Sequence, residues 1–96
     1  MATYVIAQAK TKDAEKLASY GQAAGPTIAE HGGEMFMRAP VVEVLCGNTN
    51  FERFLMIKFQ DVDTARAWYN SDAYQALIPM RNEGADIALI LVETAD

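Results

Sequence analysis

The segment Asp86-Ile87-Ala88-Leu89-Ile90-Leu91-Val92-Glu93 decides how this chain folds. Successive side chains of a strand point to opposite faces of a sheet. Ile87, Leu89 and Leu91 therefore share one face, and Ala88, Ile90 and Val92 share the other. Arg53–Gln60 repeats the pattern, with Leu55, Ile57 and Phe59 on one side and Phe54, Met56 and Lys58 on the other. In Thr3–Ala9, Val5 and Ala7 take one side, and Tyr4, Ile6 and Gln8 the other. An antiparallel sheet with one wet face alternates cleanly between apolar and polar residues, and these strands do not.

The stretches between the strands read as helices. From Asp13 to about His31, Leu17, Gly21, Ala24 and Ile28 recur at the spacing of one helix face. Thr11 and Asp13 are both suited to cap its start. Proline lacks an amide hydrogen and clashes with the preceding turn, so Gly25-Pro26 is expected to kink or split this helix. Gly32-Gly33 ends it. Glu34–Arg38 is a short strand, broken by Ala39-Pro40 and continued by Val41–Cys46 as a second piece or bulged extension. Gly47–Asn50 is a turn by composition. Asp61 caps a helix through Ala65, Trp68 and Tyr69. Asn70-Ser71-Asp72 breaks it, and Ser71 caps a second helical piece in which Ala73, Tyr74, Leu77, Ile78 and Arg81 fall at spacings of three or four. Pro79 falls within that piece, and Gly84 closes it.

The order strand, helix, strand, strand, helix, strand is met most simply by two split βαβ units. The expected fold is an α+β ferredoxin-like sandwich, a four-stranded antiparallel sheet with two helices on one face. The other face is then bare yet apolar. Each large side chain left in water forgoes about 1.5–3 kcal/mol, and the patch exceeds the roughly 300–600 Å² usual on a monomer. A second copy is expected to cover this face, closing a dimeric α+β barrel about a two-fold axis.

Length and composition narrow the functional classes. Ninety-six residues make one domain, 1–96, and 51% apolar against 22% charged residues excludes a disordered or low-complexity chain. The longest apolar run, Ile87 to Val92, falls far short of the about 20 residues a membrane helix needs. Met1 to Ala9 lacks the basic-then-apolar layout of a secretory signal. A net charge of −5 with scattered bases argues against nucleic acid and anionic membranes as partners. The single cysteine, Cys46, allows no intrachain disulfide and fits a reducing cytoplasm.

Tyr4-Val5-Ile6-Ala7, the corner Glu30-His31-Gly32-Gly33, and the stretch from Ala67-Trp68-Tyr69-Asn70-Ser71 through Asp72-Ala73-Tyr74-Gln75-Ala76-Leu77-Ile78-Pro79 resemble the family known as domain of unknown function 1330 (DUF1330), in the dimeric α+β barrel superfamily. The resemblance spans essentially the whole chain and implies a homodimer of ferredoxin-like chains. It implies no established activity and supplies no family catalytic residue. The wider superfamily includes cofactor-free monooxygenases, haem-handling proteins and small-molecule isomerases or decarboxylases, but a shared fold does not assign a function.

Several residues could carry chemistry. His31 is the only histidine, so imidazole acid/base catalysis would fall to it. The competing reading is that it caps a helix C-terminus. Tyr69, Asn70 and Tyr74 lie at a helix break, where they either serve the turn and core or present hydroxyls and an amide to a polar ligand. Trp68 and Ser71 read as core plug and cap. Arg38 and Lys58 are charges in apolar strands. Arg38 either pairs with Glu43 at an edge or holds a carboxylate or enolate, and Lys58 either snorkels at a strand end or serves as a charge partner. Cys46 reads as a small buried residue, and Met35-Phe36-Met37 as packing.

No glycine-rich phosphate loop, GxSxG elbow or HExxH stands in the sequence, which argues against nucleotide, hydrolase and zinc chemistry. Neither a metal nor a cofactor is expected. The leading expectation is a cytoplasmic homodimer that binds a small organic metabolite between helices and sheet and transforms it without a cofactor. In that reading His31 is the catalytic group, and Arg38, Lys58, Tyr69, Asn70 and Tyr74 hold the ligand. The alternatives are a non-catalytic binding or stress-related dimerisation module and, by superfamily analogy, a cofactor-independent monooxygenase with Trp68 as a stacking wall.

Overall fold

The computed structural model describes residues 1–95 as β1 (Thr3–Thr11), α1 (Ala14–Glu30), β2 (Glu34–Pro40), β3 (Arg53–Phe59), α2 (Val62–Asn70), α3 (Asp72–Gln75), α4 (Ile78–Gly84) and β4 (Ala85–Glu93). The strands form one antiparallel sheet in the order β2-β3-β1-β4. This is the ferredoxin-like sandwich that the sequence predicts.

The register fixes the two faces. Val5 lies opposite both Ile57 and Leu91, and the next residue, Ile6, lies opposite Met56 and Ile90. Val5, Ile57 and Phe59 are buried against Tyr20 and Ala24 of α1, Ala65 and Trp68 of α2, and Tyr74 of α3. The opposite face carries Tyr4, Ile6, Phe54, Met56, Ile90 and Val92 with no helix over it. A bulge between Met35 and Met37 tips Phe36 onto this face, where its ring meets Tyr4 edge-on with centroids 5.1 Å apart. Phe36 keeps 53% of its surface exposed and Ile90 45%.

Several expectations need correction. α1 runs unbroken through Pro26. Gly25, Pro26 and Gln22 are all solvent-exposed, so the Gln22 carbonyl that loses its helical donor is free to meet water. Gly25 also has no Cβ to clash with the proline ring. Asp13, not Thr11, caps the helix, its Oδ1 accepting from the amides of Glu15 and Lys16. Tyr20, not Gly21, occupies the buried face.

Val41–Cys46 is not a strand. β2 extends to Pro40, paired with Arg53 at the start of β3; the Val41 amide still donates to the Glu52 carbonyl at 2.8 Å, but the residues after it run past the partner's end. Val42 and Leu45 are consequently 95% and 89% exposed, and Cys46 is exposed rather than buried. The second helical region divides into three pieces rather than two. Pro79 starts α4 instead of interrupting a helix, a position where its missing amide costs nothing.

Candidate functional site

Two caps set the helix break beside the sheet. Asp61 Oδ1 accepts from the Thr64 amide at 2.7 Å and from its hydroxyl at 2.7 Å, starting α2. Ser71 closes α2 and opens α3: its hydroxyl donates to the Trp68 carbonyl at 2.7 Å and accepts from the Tyr74 amide at 3.2 Å. The caps hold Trp68, Tyr69 and Tyr74 as a cluster of tilted rings, with centroids 4.5 Å apart for Trp68–Tyr74 and 5.2 Å for Tyr69–Tyr74. The indole N–H of Trp68 donates to the Thr27 hydroxyl at 3.0 Å, which in turn donates to the Ala24 carbonyl at 2.7 Å. Each of these buried polar atoms therefore has a partner.

Between α2 and the sheet lies a cleft of about 330 Å³. Val5, Ile87, Leu89 and Leu91 form its sheet wall and Ala65, Trp68 and Tyr69 its helix wall. Arg66, Asn70 and Arg81 supply its charged and amide groups. The volume lies at the lower end of the range for small-molecule sites.

Arg81 is the group that the sequence reading left unused. It is half-buried, and its Nη1 donates to the Tyr74 hydroxyl at 3.1 Å and the Tyr69 hydroxyl at 3.4 Å, while Nε donates to Asn82 Oδ1 at 3.3 Å. Burial opposes its charge, but the Tyr69 and Tyr74 hydroxyls outweigh this and raise the guanidinium pKa above its ordinary value. Behind them, the Tyr20 and Tyr74 hydroxyls stand 2.7 Å apart. Burial, and then the neighbouring Tyr74, push the Tyr20 phenol well above its usual pKa. The seven-residue interval from Tyr74 to Arg81, two helical turns, was the available signal for this cluster. Tyr20 gave none, because Gly21 fits the same periodicity.

The other sequence-predicted residues stand in different places. Tyr69 and Asn70 line the cleft, and Tyr74 lies fully buried behind it. His31 caps α1, with Nδ1 2.9 Å from the Thr27 carbonyl. A carbonyl can only accept, so Nδ1 carries the hydrogen and Nε2 of the neutral ring is left as the acceptor. His31 does not line the cleft. Arg38 is exposed on the edge strand β2, opposite Leu55, and it makes no ion pair with Glu43 among the described residues. Lys58 lies on the uncovered face between Tyr4 and Glu34. Among the described residues, no cluster of three or more His, Cys, Asp and Glu side chains is arranged to hold a metal. No described helix is long and apolar enough to cross a membrane.

Sheet order, helices on one face and a cleft beneath α2 define a ferredoxin-like α+β protein with an open cleft between helix and sheet. The chain belongs to the DUF1330 family, domain of unknown function, whose model matches residues 2–95. No curated protein matches it. Among solved structures it is similar to RPA0582, a protein of unknown function from Rhodopseudomonas palustris. The two are 16% identical with a TM-score of 0.85, over 99% of this chain and 83% of that one. It is also similar to a dimeric ferredoxin-like protein of unknown function from Jannaschia sp. CCS1, at 12% identity and a TM-score of 0.77, over 98% and 100% of the chains. SnoaB, a cofactor-independent oxygenase from Streptomyces nogalater, is 10% identical with a TM-score of 0.69, over 99% and 94%. Likeness at such identities concerns the fold.

Proposed function

We propose that the protein is a homodimer in which each chain binds a small organic metabolite in the cleft beneath α2. The cleft itself carries the reading: apolar and aromatic walls with a few convergent polar groups are the usual build of a small-molecule site. Tyr69 and Asn70 orient the ligand. Tyr74 is a positioning residue that holds Arg81 from behind. The apolar uncovered sheet face, with Phe36 and Ile90 exposed, supports pairing with a second copy. The similar Jannaschia protein is described as dimeric. The free, exposed thiol of Cys46 supports a reducing cytoplasm as its setting.

Binding without chemistry is favoured by one observation, the engagement of the only histidine in capping α1 away from the cleft lining. Transformation without a cofactor, as SnoaB's description would suggest by analogy, instead needs the Tyr69 hydroxyl or Arg81 to stabilise developing negative charge.

A thermal-shift screen of small aromatic and aliphatic metabolites tests the proposal. A compound that raises Tm in the parent protein and loses that effect on Asn70→Ala and Tyr69→Phe supports it. A screen in which no compound raises Tm contradicts it.

A further inference from the structure

We infer that the cleft selects an anionic ligand, a one- or two-ring aromatic carboxylate whose acid group docks on the outer edge of Arg81. The inference rests on the cleft being a binding site and adds the chemistry of what enters it.

A guanidinium has five N–H donors in a planar fork. In Arg81, Nη1 is committed to the two tyrosine hydroxyls and Nε to Asn82, while Nη2, with two donors, has no protein partner among the described residues. Nor, among the described residues, does any carboxylate lie within 4.0 Å of it: the ion pairs there are Lys12–Asp86, Lys16–Glu83 and Arg66–Asp63. The tyrosine hydroxyls already support the charge but fill only part of the fork, and a bound carboxylate would give Nη2 a charge-assisted partner.

The surroundings favour the same ligand. The chain's net charge of −5 repels anions in general, yet two of its four arginines line this one cleft. Arg66 is exposed and shares its charge with Asp63 at 3.9 Å, so the specific contact falls to Arg81. The tyrosine hydroxyls hold the Arg81 fork in place before any ligand arrives, which reduces the ordering cost of binding. Tyr69 and Leu89 then offer flat and apolar surface to a ring, with the buried Trp68 packed edge-on against Tyr69.

The test compares naphthoate with its neutral amide, naphthamide, on the full chain. Affinity is read by calorimetry and location by the indole N–H resonance of Trp68, the only tryptophan. The expected result is that naphthoate binds about ten-fold or more tighter than naphthamide, shifts the Trp68 resonance and weakens as salt rises. Arg81→Gln should abolish the preference for the acid, and Arg81→Lys should restore part of it. If the amide binds as tightly as the acid, or Arg81→Gln binds the acid unchanged, the anion inference falls while the cleft remains a binding site. Naphthoate binding that leaves Trp68 unmoved overturns the inference by placing the anion elsewhere. If neither probe binds, the anion inference falls, and the cleft reading is decided by the metabolite screen. Should Arg81→Gln fail to fold, the acid–amide comparison and its salt dependence in the parent protein decide the question.

Discussion

The hydroxyls of Tyr20 and Tyr74 stand 2.7 Å apart in the core, joining α1 to α3 at the back of the cleft. Tyr74 also accepts from Arg81 at 3.1 Å, so it is the hinge of the network, whereas Tyr20 has a single partner. Tyr74→Phe strands the buried Tyr20 hydroxyl and removes one of the Arg81 contacts. The expected destabilisation is about 1–3 kcal/mol. Tyr20→Phe leaves Tyr74 bonded to Arg81 and should cost less, about 0.5–1.5 kcal/mol. Urea unfolding of both variants at one fixed protomer concentration checks the order.

The same pair sets a response to alkali. Burial raises the folded-state pKa of Tyr20 above the unfolded value of about 10. Its contribution to stability is therefore fully present below about pH 10 and is lost as pH rises from there toward the raised folded value. Unfolding free energies measured from neutral pH upward should fall more steeply above pH 10 in the parent protein than in Tyr20→Phe. Equal slopes would contradict the assignment.

Gly84 ends α4 where that helix crosses the start of α1. A Cβ there would lie 2.7 Å from the Leu17 amide nitrogen and 2.8 Å from its Cα, both backbone atoms with little freedom to yield. The Gly84 carbonyl accepts from the amides of Lys12 and Asp13, and the adjacent Lys16–Glu83 pair spans the same crossing. Gly84→Ala should therefore destabilise the fold by about 1–3 kcal/mol, read as a lowered Tm.

Thr27 links Trp68 to α1. Thr27→Val keeps the shape but leaves the buried indole N–H without its acceptor, at an expected cost of about 1–3 kcal/mol. Thr27→Ser retains the oxygen and should recover most of that loss. The Trp68 indole resonance should move upfield only in the valine variant.

The parities of Val5, Ile57 and Leu91 were legible in the sequence because two-residue alternation survives any small error in strand ends. The caps at Asp61 and Ser71 were legible because their side-chain oxygens act locally. What was not legible depends on neighbours distant in sequence. Val41–Cys46 has strand composition but runs beyond the end of β3, so pairing stops after the single Val41–Glu52 backbone bond. Pro26 lies on the solvent side of α1, where a lost amide bond is absorbed by water. In the candidate site, Tyr69 and Asn70 were found from the helix break. Arg81 was read only as a face residue, since nothing local distinguishes a guanidinium that lacks a counter-ion. The Tyr20–Tyr74 contact joins residues 54 positions apart and has no sequence signature.

The uncovered face of the sheet calls for a second copy, and the mass of the protein in solution tests that pairing most directly. Light scattering behind a sizing column, at micromolar concentration, should give twice the 10.5 kDa of one chain. Ile90→Asp, which places a charge on the proposed interface, should shift the species toward the single-chain mass. A monodisperse 10.5 kDa particle from the unaltered protein would contradict the dimer.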